Sequence, residues 1–257
     1  MRQSARQREI IKLLESTPGA SVDDLCAATR ASPATIRRDL TALSESGQLR
    51  RVHGGAEATD HMSRLRGTPF SRNILQNVPQ KKAIAKTAAD LCREGEAIII
   101  DAGSTTFFMC QYLLGRSLQV LTNSIPIVQE LLGQPSVRLH VPGGEIYREQ
   151  DIILSPFQNN GLNQYAASKL FMGAGAISTR GILQADSILV QAEQRMLARA
   201  DQLVVLADSS KFAAEASLIV AGFDQVSTLI TDDRLSDADA KMIERSGVDL
   251  ITVGLSA

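Results

Sequence analysis

Two sets of residues in this chain could do chemistry. The first is Ser32, Ala34, Thr35, Arg37, Arg38 and Thr41, followed by Arg50, Arg51 and His53. Arginine can donate two hydrogen bonds to guanine O6 and N7, threonine and alanine methyls can meet thymine, and hydroxyls reach phosphate oxygens. That is the chemistry of reading a DNA groove. The second set is the run Asp101, Ala102, Gly103, Ser104, Thr105 and Thr106, joined later by Asn123, Ser124, Gly143, Gly144, Gly175 and Lys211. Gly103 permits close approach, hydroxyls and amides converge behind it, and Lys211 offers a counter-charge, which together suit a phosphorylated ligand. Plainer readings stand beside these: an arginine pair on a solvated face, a three-helix adaptor, a strand-to-helix turn with capping hydroxyls, a solvated lysine.

The elements that must position the first set are legible upstream. Ile10, Ile11, Leu13 and Leu14 have the spacing of a helix with one buried face, stopped by Pro18 and Gly19. Ser21 with Asp24 starts a second helix with Val22, Leu25 and Cys26 inward, and Thr29 to Ala31 form the turn. Ser32-Pro33 then supplies an N-cap and a proline at the first helical position, with Gly47 placed as the stop after Ser46. At 100° per residue, Ile36, Leu40 and Leu43 form the buried stripe, with Ala34, Arg38, Thr41 and Glu45 opposite and Thr35 and Arg37 on the flanks. Leu49 and Val52 read as the core side of a hairpin tipped by Gly54-Gly55, the wing of a winged helix. Residues 1–52 hold nine Lys and Arg against six Asp and Glu, a local charge of +3, although the whole 257-residue chain carries only −1.

The second set belongs to a different pattern. Periodicity is lost from Glu57 to Gln80, which predicts a linker over 59–80 between a DNA-binding domain at 1–58 and a second domain at 81–257. From Lys81 a helix leads into short apolar runs at 97–101, 119–122, 137–141, 169–173, 202–208, 227–231 and 249–253. Helical stretches at Thr106–Leu114, Pro126–Leu132, Asp186–Arg199 and Asp237–Ser246 separate several of them. This alternation predicts a doubly wound, mostly parallel α/β domain with ligand loops at the carboxyl ends of its strands. The fold class is therefore α/β, with an N-terminal winged helix-turn-helix.

Composition narrows the classes further. Apolar residues make up 44% and charged residues 21%, an ordinary globular balance. No run of apolar residues is long enough to span a membrane, and the N-terminus lacks an apolar signal core, which predicts a cytoplasmic protein. Cys26, Cys92 and Cys110 are odd in number and widely spaced, so neither a disulfide framework nor a metal site is expected, and no cofactor motif is visible. An enzymatic reading, a sugar-phosphate isomerase with an accessory DNA-binding domain, needs a positioned acid or base. His140 lies inside an apolar strand, Asp186 and Glu193 could face the pocket, and no paired-acid motif stands out; no catalytic residue is assigned and the chain is read as a non-enzyme.

From Arg6 to Ala56, the stretch containing SPATIRRDLTALSESG and RVHGGA resembles the N-terminal domain of the DeoR family of bacterial repressors. DAGSTT (101–106), TNS (122–124), PGG (142–144), GAGAIS (173–178) and DSSKF (208–212) resemble the sensor domain of that family, which is similar to the sugar-phosphate isomerase fold. The resemblance implies a regulator of a sugar or sugar-acid catabolic operon that binds operator DNA as a homo-oligomer, a dimer or tetramer. It implies a phosphorylated sugar as effector, held by the second set together with Asp186 and Glu193. The chain departs from the family pattern at Ser155-Pro156, at Ser168, and at Glu193 and Gln194, where lysine and arginine are usual, so the effector contacts differ. LSP (154–156) and AEQRML (192–197) resemble the branch that governs L-ascorbate utilisation, whose effector is L-ascorbate 6-phosphate.

Overall fold

The computed structural model describes residues 3–16, 19–46, 48–52, 54–58, 69–155 and 161–255. Pro18, Gly47, His53 and Pro156, given roles above, lie outside the described residues. The chain divides into two compact units, Met1–Arg66 and Gly67–Ala257.

The first unit runs α1 (Gln3–Ser16), β1 (Gly19–Ser21), α2 (Val22–Thr29), α3 (Pro33–Glu45), β2 (Leu49–Val52) and β3 (Gly55–Ala58). Its starts and stops follow local chemistry. The Ser21 side chain accepts from the Asp24 amide while Asp24 accepts from the Ser21 amide, a reciprocal cap for α2. Arg30 ends that helix at φ +54°, and Ser32 caps α3 by accepting from the Thr35 amide. Ile10, Leu14, Val22, Leu25, Ile36, Leu40, Leu43, Leu49 and Ala56 make one core, so the expected stripe of α3 is the buried one. The three-stranded sheet, β1-β3-β2, includes a strand at Gly19–Ser21 that periodicity did not signal. A Cβ on Gly55 would stand 2.2 Å from the Ala20 carbonyl oxygen, so only glycine lets β1 and β3 approach here.

The second unit opens with α4 (Phe70–Asn73) and α5 (Val78–Asp90). Residues 70–73 and 78–80, expected in the linker, are thus helical; Pro79 sits in the first turn of α5, where its fixed φ and missing amide favour helix entry rather than a loop. Next come β4 (Ala97–Ile100), α6 (Ser104–Phe107), β5 (Leu118–Leu121), α7 (Ile125–Leu131), β6 (Val137–His140), β7 (Glu145–Tyr147), β8 (Ile152–Leu154) and β9 (Ala167–Met172). The rest is β10 (Ala176–Ser178), β11 (Gly181–Gln184), α8 (Ser187–Leu197), β12 (Ala200–Leu206), β13 (Leu218–Ala221), β14 (Thr228–Asp232), α9 (Asp237–Arg245) and β15 (Asp249–Val253).

All seven predicted strands join one parallel sheet, ordered β15-β14-β12-β9-β4-β5-β6. Alternate residues feed two cores: Ile98, Ile100, Val204 and Leu206 pack on the side of α5 and α7, while Ile99, Leu203 and Val205 pack with Met196 of α8 and Ile243 of α9 on the other. Burial on both faces explains the near-continuous apolar runs. Two small antiparallel pieces, β7-β8 and β10-β11-β13, were not expected; their three- and four-residue strands are too short for a period to register. The helix expected over Thr106–Leu114 begins at Ser104, holds α geometry only to Phe107, and continues as a 3-10 turn over Phe108–Tyr112. Thr105-Thr106 and Phe107-Phe108 are poor helix formers, and one turn of helix supplies little dipole for an anion.

Candidate functional site

In the first unit, Ser32, Ala34, Arg37, Arg38, Arg50 and Arg51 are exposed, and Thr35 and Thr41 are half-buried. Two groups are less free than their positions suggested. Arg51 donates from Nη1 to Thr41 Oγ1 at 3.0 Å, and that hydroxyl donates to the Arg37 carbonyl at 2.9 Å, tying the wing strand to α3. Asp39, one of the six acids counted above, is 2% exposed. Arg6 of α1 reaches it at 2.5 Å, and this pair fixes how α3 lies on α1.

In the second unit the sheet order decides where a ligand can sit. The chain leaves β4 towards β5 and β6, with α6 and α7 on one face. It leaves β9 towards β12, with α8 on the opposite face. The crevice between neighbouring strands β4 and β9 is therefore the topological switch point, where such sheets open at their carboxyl ends. Asp101 follows β4 and Gly173 follows β9 at this place.

Side chains here divide into builders and candidates. Thr106 Oγ1 donates to the Asp101 carbonyl at 2.7 Å and lies 2.9 Å from that of Gly103, so it shapes the loop, while Ser104 and Thr105 are buried beside it. Ser124 caps α7, and Asp186 caps α8 while accepting from Tyr147 Oη at 2.9 Å. Gly144 and Gly175 lie where a Cβ would meet Leu154 and Leu183 carbonyls at 2.3 and 2.9 Å, which is hairpin and sheet packing; Gly143 is exposed. Asn123 holds β8 through its carbonyl, 2.8 Å from the Ile153 amide. It also lines a cavity of about 420 Å³ between the β7-β8 hairpin and α8, with Tyr147, Ile188, Gln191 and Arg195.

Three buried groups carry unusual electrostatics. Asp101 is 3% exposed, and burial pushes its carboxyl up to about 7, opposed only by the Ala102 amide. Glu193 is 5% exposed and is held well above the usual carboxylate range by burial and by Asp101, against a 2.7 Å hydrogen bond from Gln184. The tertiary fold thus brings together two acids that no local motif links. Lys81, which sequence reasoning passed over, is 1% exposed. It donates to the Asn73 carbonyl and to Asn73 Oδ1, and burial and the charge of Lys211 lower it to about 8, with Asp208 opposing. Asp208 accepts from Asn77 at 2.9 Å, so a cationic pair and an acid gather at the end of β12. The signal for Lys81 was its place on the inner face of α5, between Gln80 and Ile84. No group of three or more metal-ligating side chains exists among the described residues, and none of the described helices is long and apolar enough to cross a membrane.

Comparison with known proteins bears on this arrangement. Residues 6–62 match the DeoR-like helix-turn-helix domain and residues 76–233 the DeoR C terminal sensor domain. The chain is 33% identical over 253 residues to the HTH-type transcriptional regulator UlaR of Shigella dysenteriae serotype 1, covering 98% of this chain and 100% of that one. It matches UlaR of Escherichia coli strain K12 / DH10B to the same extent. Among solved structures it is similar to ribose 5-phosphate isomerase A of Methanocaldococcus jannaschii (TM-score 0.39, 20% identity, 51% of this chain and 53% of that one). It is also similar to eIF2B beta of Chaetomium thermophilum (TM-score 0.40, 16% identity, 87% and 65%). With both of its units matched and a relative aligned end to end, the chain belongs to the DeoR family of DNA-binding transcription regulators, a family of non-enzymes.

Proposed function

We propose that this regulator represses a sugar or sugar-acid catabolic operon and releases its operator when a phosphorylated sugar, L-ascorbate 6-phosphate foremost, enters the β4–β9 crevice. The observation that carries the reading is the switch point itself: Asp101 and Gly173 follow the adjacent strands β4 and β9 where doubly wound sheets bind ligands, and the charge of Asp101 acts on buried Glu193. The anionic end of the ligand lies towards Ser104, Thr105, Lys211 and Lys81, and its sugar body towards Asp101, Asn123 and Glu193. Operator DNA is read by Ala34, Thr35, Arg37 and Arg38 of α3, with Ser32, Thr41, Arg50, Arg51 and His53 towards phosphates. The protein acts in the cytoplasm, where its three free thiols stay reduced, and as a homo-oligomer that spaces two winged helices over repeated half-sites. The effector can shift operator affinity only by its differential affinity for the two states.

The test uses the full chain and a DNA fragment that it selects from a random library. Fluorescence anisotropy should show at least tenfold weaker binding with saturating L-ascorbate 6-phosphate or another sugar phosphate, and the same compound should raise the thermal midpoint. If no sugar phosphate changes either quantity, the effector reading fails while the DNA-binding assignment stands.

A further inference from the structure

Buried acceptors without donors are rare in folded proteins, because each one costs the hydrogen bonds it made with water. At the carboxyl edge of the sheet three carboxyl or amide oxygens are of this kind among the described residues. Asn123 Oδ1, Glu193 Oε2 and Asp208 Oδ2 find no partner among the described residues, and their residues are 4%, 5% and 2% exposed. The other Glu193 oxygen is taken by Gln184, 2.7 Å away, so the glutamate is held in place with one oxygen left over. Asp101 stands at the end of β4, and Asn123 at the end of its neighbour β5. Their place is thus built for something that donates.

We propose that Asp101 and Glu193 together read one alcohol hydroxyl of the bound ligand, making Glu193 the residue that selects a polyhydroxylated ligand over other phosphorylated compounds. Two carboxyls buried side by side away from water cannot both ionise at modest cost, so the pair holds one proton between them. A neutral carboxyl donates and a carboxylate accepts. An alcohol does both, and it is the ligand group that fits between such a pair. A carbonyl or ether oxygen could only accept, and an ammonium could only donate. Asn123 Oδ1 takes a second hydroxyl of the same ligand. The inference rests on the effector reading above, and its test separates the two.

The experiment is isothermal titration of the full chain and of Glu193→Met and Asp101→Ala. The probes are inorganic phosphate, L-ascorbate 6-phosphate, D-glucose 6-phosphate and D-glucosamine 6-phosphate. Both substitutions remove a carboxyl that donates to or accepts from the hydroxyl, and thermal midpoints at or above the parent's would show that folding is intact. The expected result is at least tenfold weaker binding of the hydroxyl-rich phosphates by both variants, with inorganic phosphate unchanged within twofold. Parent-like affinity of both variants for every sugar phosphate overturns the proposal and leaves the effector reading intact. Preference for glucosamine 6-phosphate over glucose 6-phosphate overturns the hydroxyl assignment in favour of an ammonium. Failure of the parent protein to bind any sugar phosphate removes the effector reading and this inference with it.

Discussion

Replacing Asp101 by asparagine should change how stability depends on pH more than it changes structure. The Asp101 carboxyl is raised from 3.8 to about 7 in the folded chain. A native state that holds this proton more tightly than the unfolded chain is favoured at low pH, and the advantage disappears as pH rises through about 7. At 1.36 kcal/mol per pH unit the whole span sets a ceiling of ~4 kcal/mol, of which roughly 3 kcal/mol falls between pH 5 and 8. Asp101→Asn has no proton to lose, so its stability relative to the parent should climb by up to that amount over the interval. Taking the difference between the two proteins cancels contributions from titrating groups other than Glu193, whose own shift depends on Asp101. Urea unfolding followed by tyrosine fluorescence suits the measurement, because the chain has no tryptophan and its tyrosines, Tyr112, Tyr147 and Tyr165, all lie in the second unit. A difference that stays flat within ~0.5 kcal/mol from pH 5 to 8 would refute the argument, since Asp101 would then be ionised in the native chain.

Other substitutions probe other parts. Lys81→Met removes a buried ammonium lowered to about 8; parent stability should rise between pH 8 and 10 as that proton leaves, whereas the variant's should not, and sugar-phosphate affinity should fall at least tenfold in titration. A variant that binds sugar phosphates as the parent does would take Lys81 out of the ligand site. Gly55→Val drives a Cβ into the Ala20 carbonyl, so the β1-β3 pairing should open and anisotropy should show weakened binding to selected DNA; unchanged binding would mean that the wing tolerates the shift. Arg38→Ala should cost roughly ten- to a hundredfold on selected DNA with little loss on scrambled DNA, as expected for a base contact. Equal losses on both sequences would assign Arg38 to phosphates instead.

The seven strands were readable as contiguous apolar runs, and the helix starts at Ser21 and Ser32 because a cap depends on residues three positions apart. The core of the winged helix was readable from similar spacing: Ile36, Leu40 and Leu43 form a stripe on any helix of that sequence. Some misreadings were equally local. Pro79 marks a helix start as well as it marks a loop, and the short strands β7, β8, β10 and β11 hold too few residues to show a period.

What the chain determined on its own was each surface taken singly: an arginine-bearing helix face, a hydroxyl-rich turn after β4, an acid on α8. Tertiary structure alone decided which of these meet. Arg6 finds Asp39 only when α1 packs on α3. Asp101 finds Glu193 only because the chain reverses its winding direction between β4 and β9. Lys81 becomes a buried charge beside Asp208 and Lys211 only when α5 is laid against the sheet. Periodicity fixes the side to which a residue points, but the energy of a charge depends on what stands opposite and on how much water is excluded. Both are properties of contacts between segments distant in sequence.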